Sequence, residues 1–176
     1  MKTFEKKKIY SSTIQDIKSH TIHGNVSPLD WGYLAGFIDA ECCFTINKYT
    51  PKSRPNPVYK IVLECNNSSP EIFYWLYQRF GGSLTFLERS KKNPKHRNQI
   101  NWKLSGKKLS SVLPNVLPHL RVKNKQCALL IKFYETTLPT GLSRKTQEHR
   151  ESYAKVMEER DRMVEELHIL NRKGLS

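Results

Sequence analysis

Residues 27–49 read Ser27-Pro28-Leu29-Asp30-Trp31-Gly32-Tyr33-Leu34-Ala35-Gly36-Phe37-Ile38-Asp39-Ala40-Glu41-Cys42-Cys43-Phe44-Thr45-Ile46-Asn47-Lys48-Tyr49, a run in which one period gives way to another. Ser27 supplies a capping hydroxyl, Pro28 a first helical residue with no N–H to satisfy, and Asp30 a carboxylate in the first turn, so a helix is predicted over 28–39. From Cys43 to Tyr49 the residues alternate, with Phe44 and Ile46 on one face and Thr45, Asn47 and Tyr49 on the other, the period of a half-buried strand. Within the helix Gly32, Gly36 and Ala40 stand four apart and line one side. Small residues there let another backbone come close, either a second helix or the domain's own sheet. At the step from helix to strand stand Asp39 and Glu41. Carboxylates at a helix C-terminus meet an unfavourable dipole, and the arrangement becomes favourable once a hard cation binds.

Working outward, Pro51, Pro55 and Pro57 with Lys52 and Arg54 make a basic turn, and Tyr59–Cys65 alternates again as the second strand of a hairpin. Ser69-Pro70-Glu71 opens a helical stripe of Ile72, Phe73, Trp75, Leu76 and Phe80 that Gly81-Gly82 stops. Leu84–Arg89 and Gln99–Leu104 are predicted as a second hairpin, joined by a cationic connection over 90–98. Helices are predicted over 109–116, 124–136 and 144–170, giving the order αββα, ββαα, α. In the last helix Tyr153, Val156, Met157, Met163, Val164, Leu167 and Leu170 form an apolar stripe suited to packing on the domain or on a partner. The expected organisation is a basic N-terminal arm over 1–26, a core domain over 27–143 and a C-terminal helix over 144–176.

The chain of 176 residues carries 30 Lys plus Arg against 16 Asp plus Glu, a formal charge of +14, so a polyanion, nucleic acid first, is the expected partner. Residues 144–176 hold eight basic and seven acidic side chains, which leaves +13 on the sheet-forming part. No apolar stretch approaches the roughly 20 residues that span a bilayer, and no apolar segment follows Met1, so no membrane partner and no secretion are expected. The expected location is intracellular, a prokaryotic cytoplasm or an organelle. Cys42, Cys43, Cys65 and Cys127 show no CxxC spacing, so neither zinc nor a disulfide framework is expected, and the four are read as free cysteines of a reduced compartment. The six histidines are scattered, and neither a P-loop nor a nucleophile elbow is present.

The string Leu34-Ala35-Gly36-Phe37-Ile38-Asp39-Ala40-Glu41, preceded by Trp31-Gly32-Tyr33, closely resembles the signature of the LAGLIDADG homing endonucleases. The αββαββα order, the Phe80-Gly81-Gly82 helix stop and Leu120-Arg121-Val122-Lys123-Asn124-Lys125-Gln126 extend the resemblance over about residues 28–137. One departure is Cys42, where the family usually has Gly. The resemblance implies an α+β fold with a curved antiparallel DNA-binding sheet and additional C-terminal helices. It also implies a homodimer, since one motif copy is present: Gly32, Gly36 and Ala40 would form the dimer seam, and twofold symmetry predicts a pseudo-palindromic double-stranded DNA target. By the same resemblance Glu41 and the Ala40 carbonyl would bind catalytic Mg²⁺, Asp39 is structural, and Lys123 is the active-site lysine, the alternative being a solvated lysine at a helix start. Asn67 matches the polar residue that organises water, with Asn66 or Cys65 as shifted alternatives.

The sheet would read DNA through Thr45, Asn47, Tyr49, Lys60, Glu64, Gln99, Asn101 and Lys103, because a β-ribbon presents every second side chain to the major groove. Lys52, Arg54, Arg89, Lys91, Lys92, Lys95 and Arg97, at the hairpin tips, suit phosphate contact. The implied activity is Mg²⁺-dependent cleavage of both strands at a long site, encoded in a mobile intron. The alternative on the same scaffold is an RNA-splicing cofactor that binds intron RNA, or a DNA-binding regulator that does not cut.

Overall fold

The structure is a computed structural model that describes residues 26–53, 56–91, 94–136 and 146–172. Residues 1–25 of the expected arm over 1–26 and the phosphate-contact candidates Arg54 and Lys92 lie outside the described residues. The elements are α1 (Pro28–Glu41), β1 (Cys42–Tyr49), β2 (Val58–Asn67), α2 (Pro70–Phe80), β3 (Ser83–Leu87), β4 (Gln99–Ser105), α3 (Gly106–Val116), α4 (Asn124–Glu135) and α5 (Gln147–Arg172). Short 3₁₀ turns occupy Arg89–Lys91 and Leu117–His119. The α+β class and the order of elements agree with the sequence reading. The boundaries move by up to three residues, as at α3, which starts at Gly106 rather than 109, and β3 stops at Leu87 because the chain then winds into the turn over Arg89–Lys91.

The start of α1 is the capping box expected from Ser27: its hydroxyl accepts the Asp30 N–H at 3.2 Å, and the Asp30 carboxylate accepts the Ser27 N–H at 2.9 Å. The Ser27 main-chain bond is the chief reason the Asp30 carboxyl titrates below its ordinary value. Caps of this kind stabilise a helix by about 1 kcal/mol. Leu34, Ala35 and Ile38 point into the core, so the helix lies on the sheet by that face.

The four strands form one antiparallel sheet in the order β1-β2-β4-β3. One face, with Phe44, Ile46, Ile61, Leu63, Ile100, Trp102, Leu104 and Leu84, is buried beneath the helices. The other face carries the polar residues. Gly82 lets α2 turn back onto β4: its φ is +101°, and a Cβ there would lie 2.7 Å from the Lys103 carbonyl oxygen. The Trp102 indole N–H donates to the Gly81 carbonyl at 2.7 Å, which locks the same corner.

Of the two readings left open for the last helix, the structure takes packing on the domain. Met163 and Leu167 are buried in the core cluster. Asp161 accepts from the Tyr59 hydroxyl at 2.7 Å and from Lys48 Nζ at 2.6 Å, and Asn171 donates to the Phe44 carbonyl at 2.9 Å. Helix α5 thereby covers the edge strand β1, whose unpaired backbone would otherwise be open to another chain. Among the described residues no helix is long and apolar enough to cross a membrane.

The expectation of four free cysteines is corrected. Cys42 and Cys65 form a disulfide, with Cα atoms 4.2 Å apart, while Cys43 and Cys127 are free. The reason is register: Cys42 and Cys65 are directly opposed partners of β1 and β2 on the buried face, a relation that spacing along the chain does not display.

Candidate active site

Helix α1 delivers Glu41 to the point where the helix becomes β1, and the residue is exposed there. What holds this end is a clasp between two helix termini. The Asp39 carboxylate accepts the main-chain N–H groups of Arg121 (2.8 Å), Val122 (3.2 Å) and Lys123 (2.9 Å), just where α4 begins. In return the Lys123 ammonium donates to the carbonyls of Ile38 (2.8 Å), Asp39 (2.9 Å) and Cys42 (2.7 Å), at the end of α1. An anion meets the positive end of one helix and a cation the negative end of the other, the favourable sense for both dipoles. Asp39 is therefore committed to structure, as expected. Lys123 is not a freely solvated lysine: burial pulls its pKa below the ordinary value, with the charges of Cys43, Asp39 and Glu41 opposing that shift.

Ala40 and Glu41 are both exposed at the end of α1, and Lys123 donates to the carbonyls of Ile38, Asp39 and Cys42 rather than to that of Ala40. Carboxylate and carbonyl oxygens suit a hard divalent cation. Among the described residues no group of three or more His, Cys, Asp or Glu side chains converges.

Gly32, Gly36 and Ala40 are exposed on α1, and a Cβ built on either glycine meets nothing within 4 Å. The small-residue stripe therefore does not serve packing on the domain's own sheet. Leu29 and Tyr33, 85% and 57% exposed, continue the stripe toward the helix N-terminus. Beside it a cleft of about 820 Å³ opens, walled by Leu29, Tyr33, Phe37, Ile72 and Trp75.

The open face of the sheet is built in rows. Cys43, Glu64, Lys103 and Ser83 stand side by side across all four strands, and Asn66, Asn101 and Thr85 form the next row. Lys103 Nζ lies 3.0 Å from Glu64 Oε2, and Asn101 Nδ2 donates to Glu64 Oε1 at 2.7 Å and to Asn66 Oδ1 at 2.9 Å. Cys43 connects this face to the helix end. Burial around its sulfur raises its thiol pKa, Lys123 lowers it and Glu64 raises it, so the thiol stands within range of both.

Thr45, Asn47, Lys60, Glu64, Gln99 and Lys103 lie on this face with their side chains wholly or partly accessible, and Tyr49 is exposed at the end of β1. Lys52, Arg89, Lys91, Lys95 and Arg97 are exposed in the two connections. Asn101 shares the face yet is only 6% exposed, because β4 is a central strand and its neighbours Glu64 and Asn66 cover the amide. Asn67, the candidate for organising water, stands on the helix side of β2, lines the cleft, and its Oδ1 accepts the Ser69 N–H at 3.0 Å at the start of α2. Its neighbour Asn66, the shifted alternative, lies on the open face.

A search of curated proteins gives no match to this sequence. Solved structures share the fold. One is the homing endonuclease I-CvuI in complex with its target in the presence of 2 mM Ca (TM-score 0.65, 18% identity, 85% of each chain covered). Another is the archaeal intron-encoded homing endonuclease I-Vdi141I complexed with DNA (TM-score 0.62, 18% identity, 84% of this chain and 87% of that one). A third is the LAGLIDADG homing endonuclease I-GzeII in complex with a DNA target (TM-score 0.56, 17% identity, 80% of this chain but 44% of that one). The family model described as LAGLIDADG endonuclease matches residues 34–137, from the first leucine of the motif past the end of α4, and the chain belongs to that family.

Proposed function

We propose that this chain is a homodimeric, site-specific DNA endonuclease that hydrolyses both strands of a long pseudo-palindromic target, its gene carried in a mobile intron. The observation that carries the reading is the exposed Gly32-Gly36-Ala40 stripe ending at Glu41, beside an open polar sheet face. Two copies paired through this stripe would bring both Glu41 carboxylates to the twofold axis and set the two sheets side by side as one saddle.

Glu41 and the Ala40 carbonyl of each protomer would hold Mg²⁺, which supplies Lewis acidity at the scissile phosphate and lowers the pKa of a bound water. Asp39 and Lys123 hold the end of α1 so that the Glu41 carboxylate is presented in a fixed position. Lys123 also places positive charge beside the developing phosphorane, at the cost of partial desolvation that the charges of Cys43, Asp39 and Glu41 oppose. Exposed lysines and arginines of the two connections would grip phosphates, and binding should weaken steeply as salt rises.

The test uses duplex DNA made by joining the sequences that flank the gene, with Mg²⁺ or with EDTA. Metal-dependent breaks in both strands near the junction are expected from the natural chain. Glu41→Gln should bind with unchanged affinity and lose cleavage by at least a hundredfold, on the order of removing one transition-state contact. Cleavage by Glu41→Gln at the natural rate would refute the site, and tight binding without any cut would favour the splicing or regulatory alternative.

A further inference from the structure

We propose that Glu64 is a positioning residue for base recognition, fixing the polar centre of the sheet so that it presents hydrogen-bond donors, and so selects guanine, or another acceptor edge, over cytosine. The inference rests on the reading of the open face as the DNA surface. An acidic residue at the middle of a cationic face is the observation that asks for a reason.

An ionised carboxylate only accepts, which forces the amide of Asn101 to turn its Nδ2 toward Glu64 Oε1. The same Nδ2 then gives its other proton to Asn66, so Asn66 must turn its Oδ1 inward and its own N–H₂ outward. Lys103 spends one proton on Glu64 Oε2 and keeps two. One carboxylate therefore decides the polarity of the quartet, and the groups it leaves to a partner at Asn66 and Lys103 are donors. In the major groove guanine offers O6 and N7, adenine N7 and thymine O4 as acceptors, whereas cytosine offers an N4 donor, which faces these groups donor to donor. The Glu64–Lys103 pair also cancels a charge, so this part of the sheet adds little sequence-independent attraction to phosphate.

Replacing the carboxylate by an amide separates this role from a merely structural one. Glutamine both donates and accepts, so Glu64→Gln leaves the orientations of Asn101 and Asn66 unforced and releases the full charge of Lys103. The experiment presents a library of randomised duplexes to the natural chain, to Glu64→Gln and to Asn66→Asp, with calcium in place of magnesium so that binding is read without cutting, and sequences the retained DNA. The natural chain should enrich guanine and deplete cytosine at one position of each half-site. Glu64→Gln should lose about tenfold of that preference while its binding to non-specific DNA tightens and the salt slope steepens by about two, one for each protomer's Lys103. Asn66→Asp keeps an acceptor for Asn101 but turns an acceptor outward, so it should shift the same position to cytosine or adenine. An unchanged base preference in both variants overturns the inference. A natural chain that enriches no sequence overturns the DNA-target reading itself.

Discussion

Substituting Gly36 by Leu should act with opposite sign on the folding of one chain and on the pairing of two. Gly36 lies in the interior of α1, and an added Cβ there meets nothing within 4 Å. Glycine in a helix interior costs about 0.8–1 kcal/mol relative to alanine, and leucine is nearly as good a helix former as alanine. The isolated chain should therefore gain close to 1 kcal/mol, which for a chain of this size raises Tm by about 2–4 °C. In the proposed dimer the helix axes approach because the stripe is small, and overpacking a close contact costs about 1–3 kcal/mol per site. Symmetry doubles it. A middle value near 4 kcal/mol weakens the dimer by about a thousandfold. Sedimentation equilibrium over a concentration series measures the second effect, and thermal melting below the dissociation constant of the natural dimer measures the first. A Gly36→Leu chain that dimerises as well as the natural one would refute the seam. A lowered Tm in the monomer would show that the stripe packs on its own domain.

Two further outcomes test the framework around the site. Gly82→Ala should destabilise the fold by about 2–4 kcal/mol in urea titration, since it adds strain at a φ of +101° to a Cβ placed 2.7 Å from a main-chain oxygen. Asp39→Asn and Lys123→Met should each cost about 1–3 kcal/mol, and a double-mutant cycle between them should return a coupling above about 0.5 kcal/mol, because Lys123 caps the helix that carries Asp39 and Asp39 holds the segment that carries Lys123.

The strands and the first helix were legible because their signals are local. A capping serine, a proline at the first turn and a change of period by Cys43 need no knowledge of the rest of the chain. What depends on register was not legible. The Cys42–Cys65 bond follows from a pairing that places position 42 against position 65, and nothing in the intervening turn announces that offset. The same strand explains Asn67. β2 runs two residues past Cys65, so parity sends Asn67 to the helix face and Asn66 to the open one, whereas an end at Cys65 leaves the question open. Asn101 shows a third limit. Alternation assigns a side chain to a face correctly and says nothing of its neighbours there, and on the central strand β4 those neighbours bury it. Glu41 and Lys123 were found by resemblance. Neither Asp-x-Glu at a helix end nor a lysine before a helix is distinctive by itself.

The clasp between Asp39 and Lys123 explains why residues 84 positions apart belong to one motif. A helix that ends in two carboxylates is unstable by its own dipole, and the unfavourable end has to be neutralised without using the carboxylate that must stay free. Lys123 does this through main-chain carbonyls, leaving the Glu41 carboxylate out of the contact. Asp39 returns the interaction by satisfying the first N–H groups ahead of α4, which fixes the segment that carries Lys123. Each partner thus holds the backbone that positions the other, and neither relies on a side-chain ion pair that salt would screen. The arrangement divides labour between neighbouring acids: Asp39 binds the main chain of 121–123 and builds the end of the helix, while Glu41, two residues later and the last residue of the helix, is exposed. Exchanging their roles is not an option for the chain, because only position 39 reaches the N–H groups of 121–123. The order of the two acids is therefore set by helix geometry before any chemistry begins.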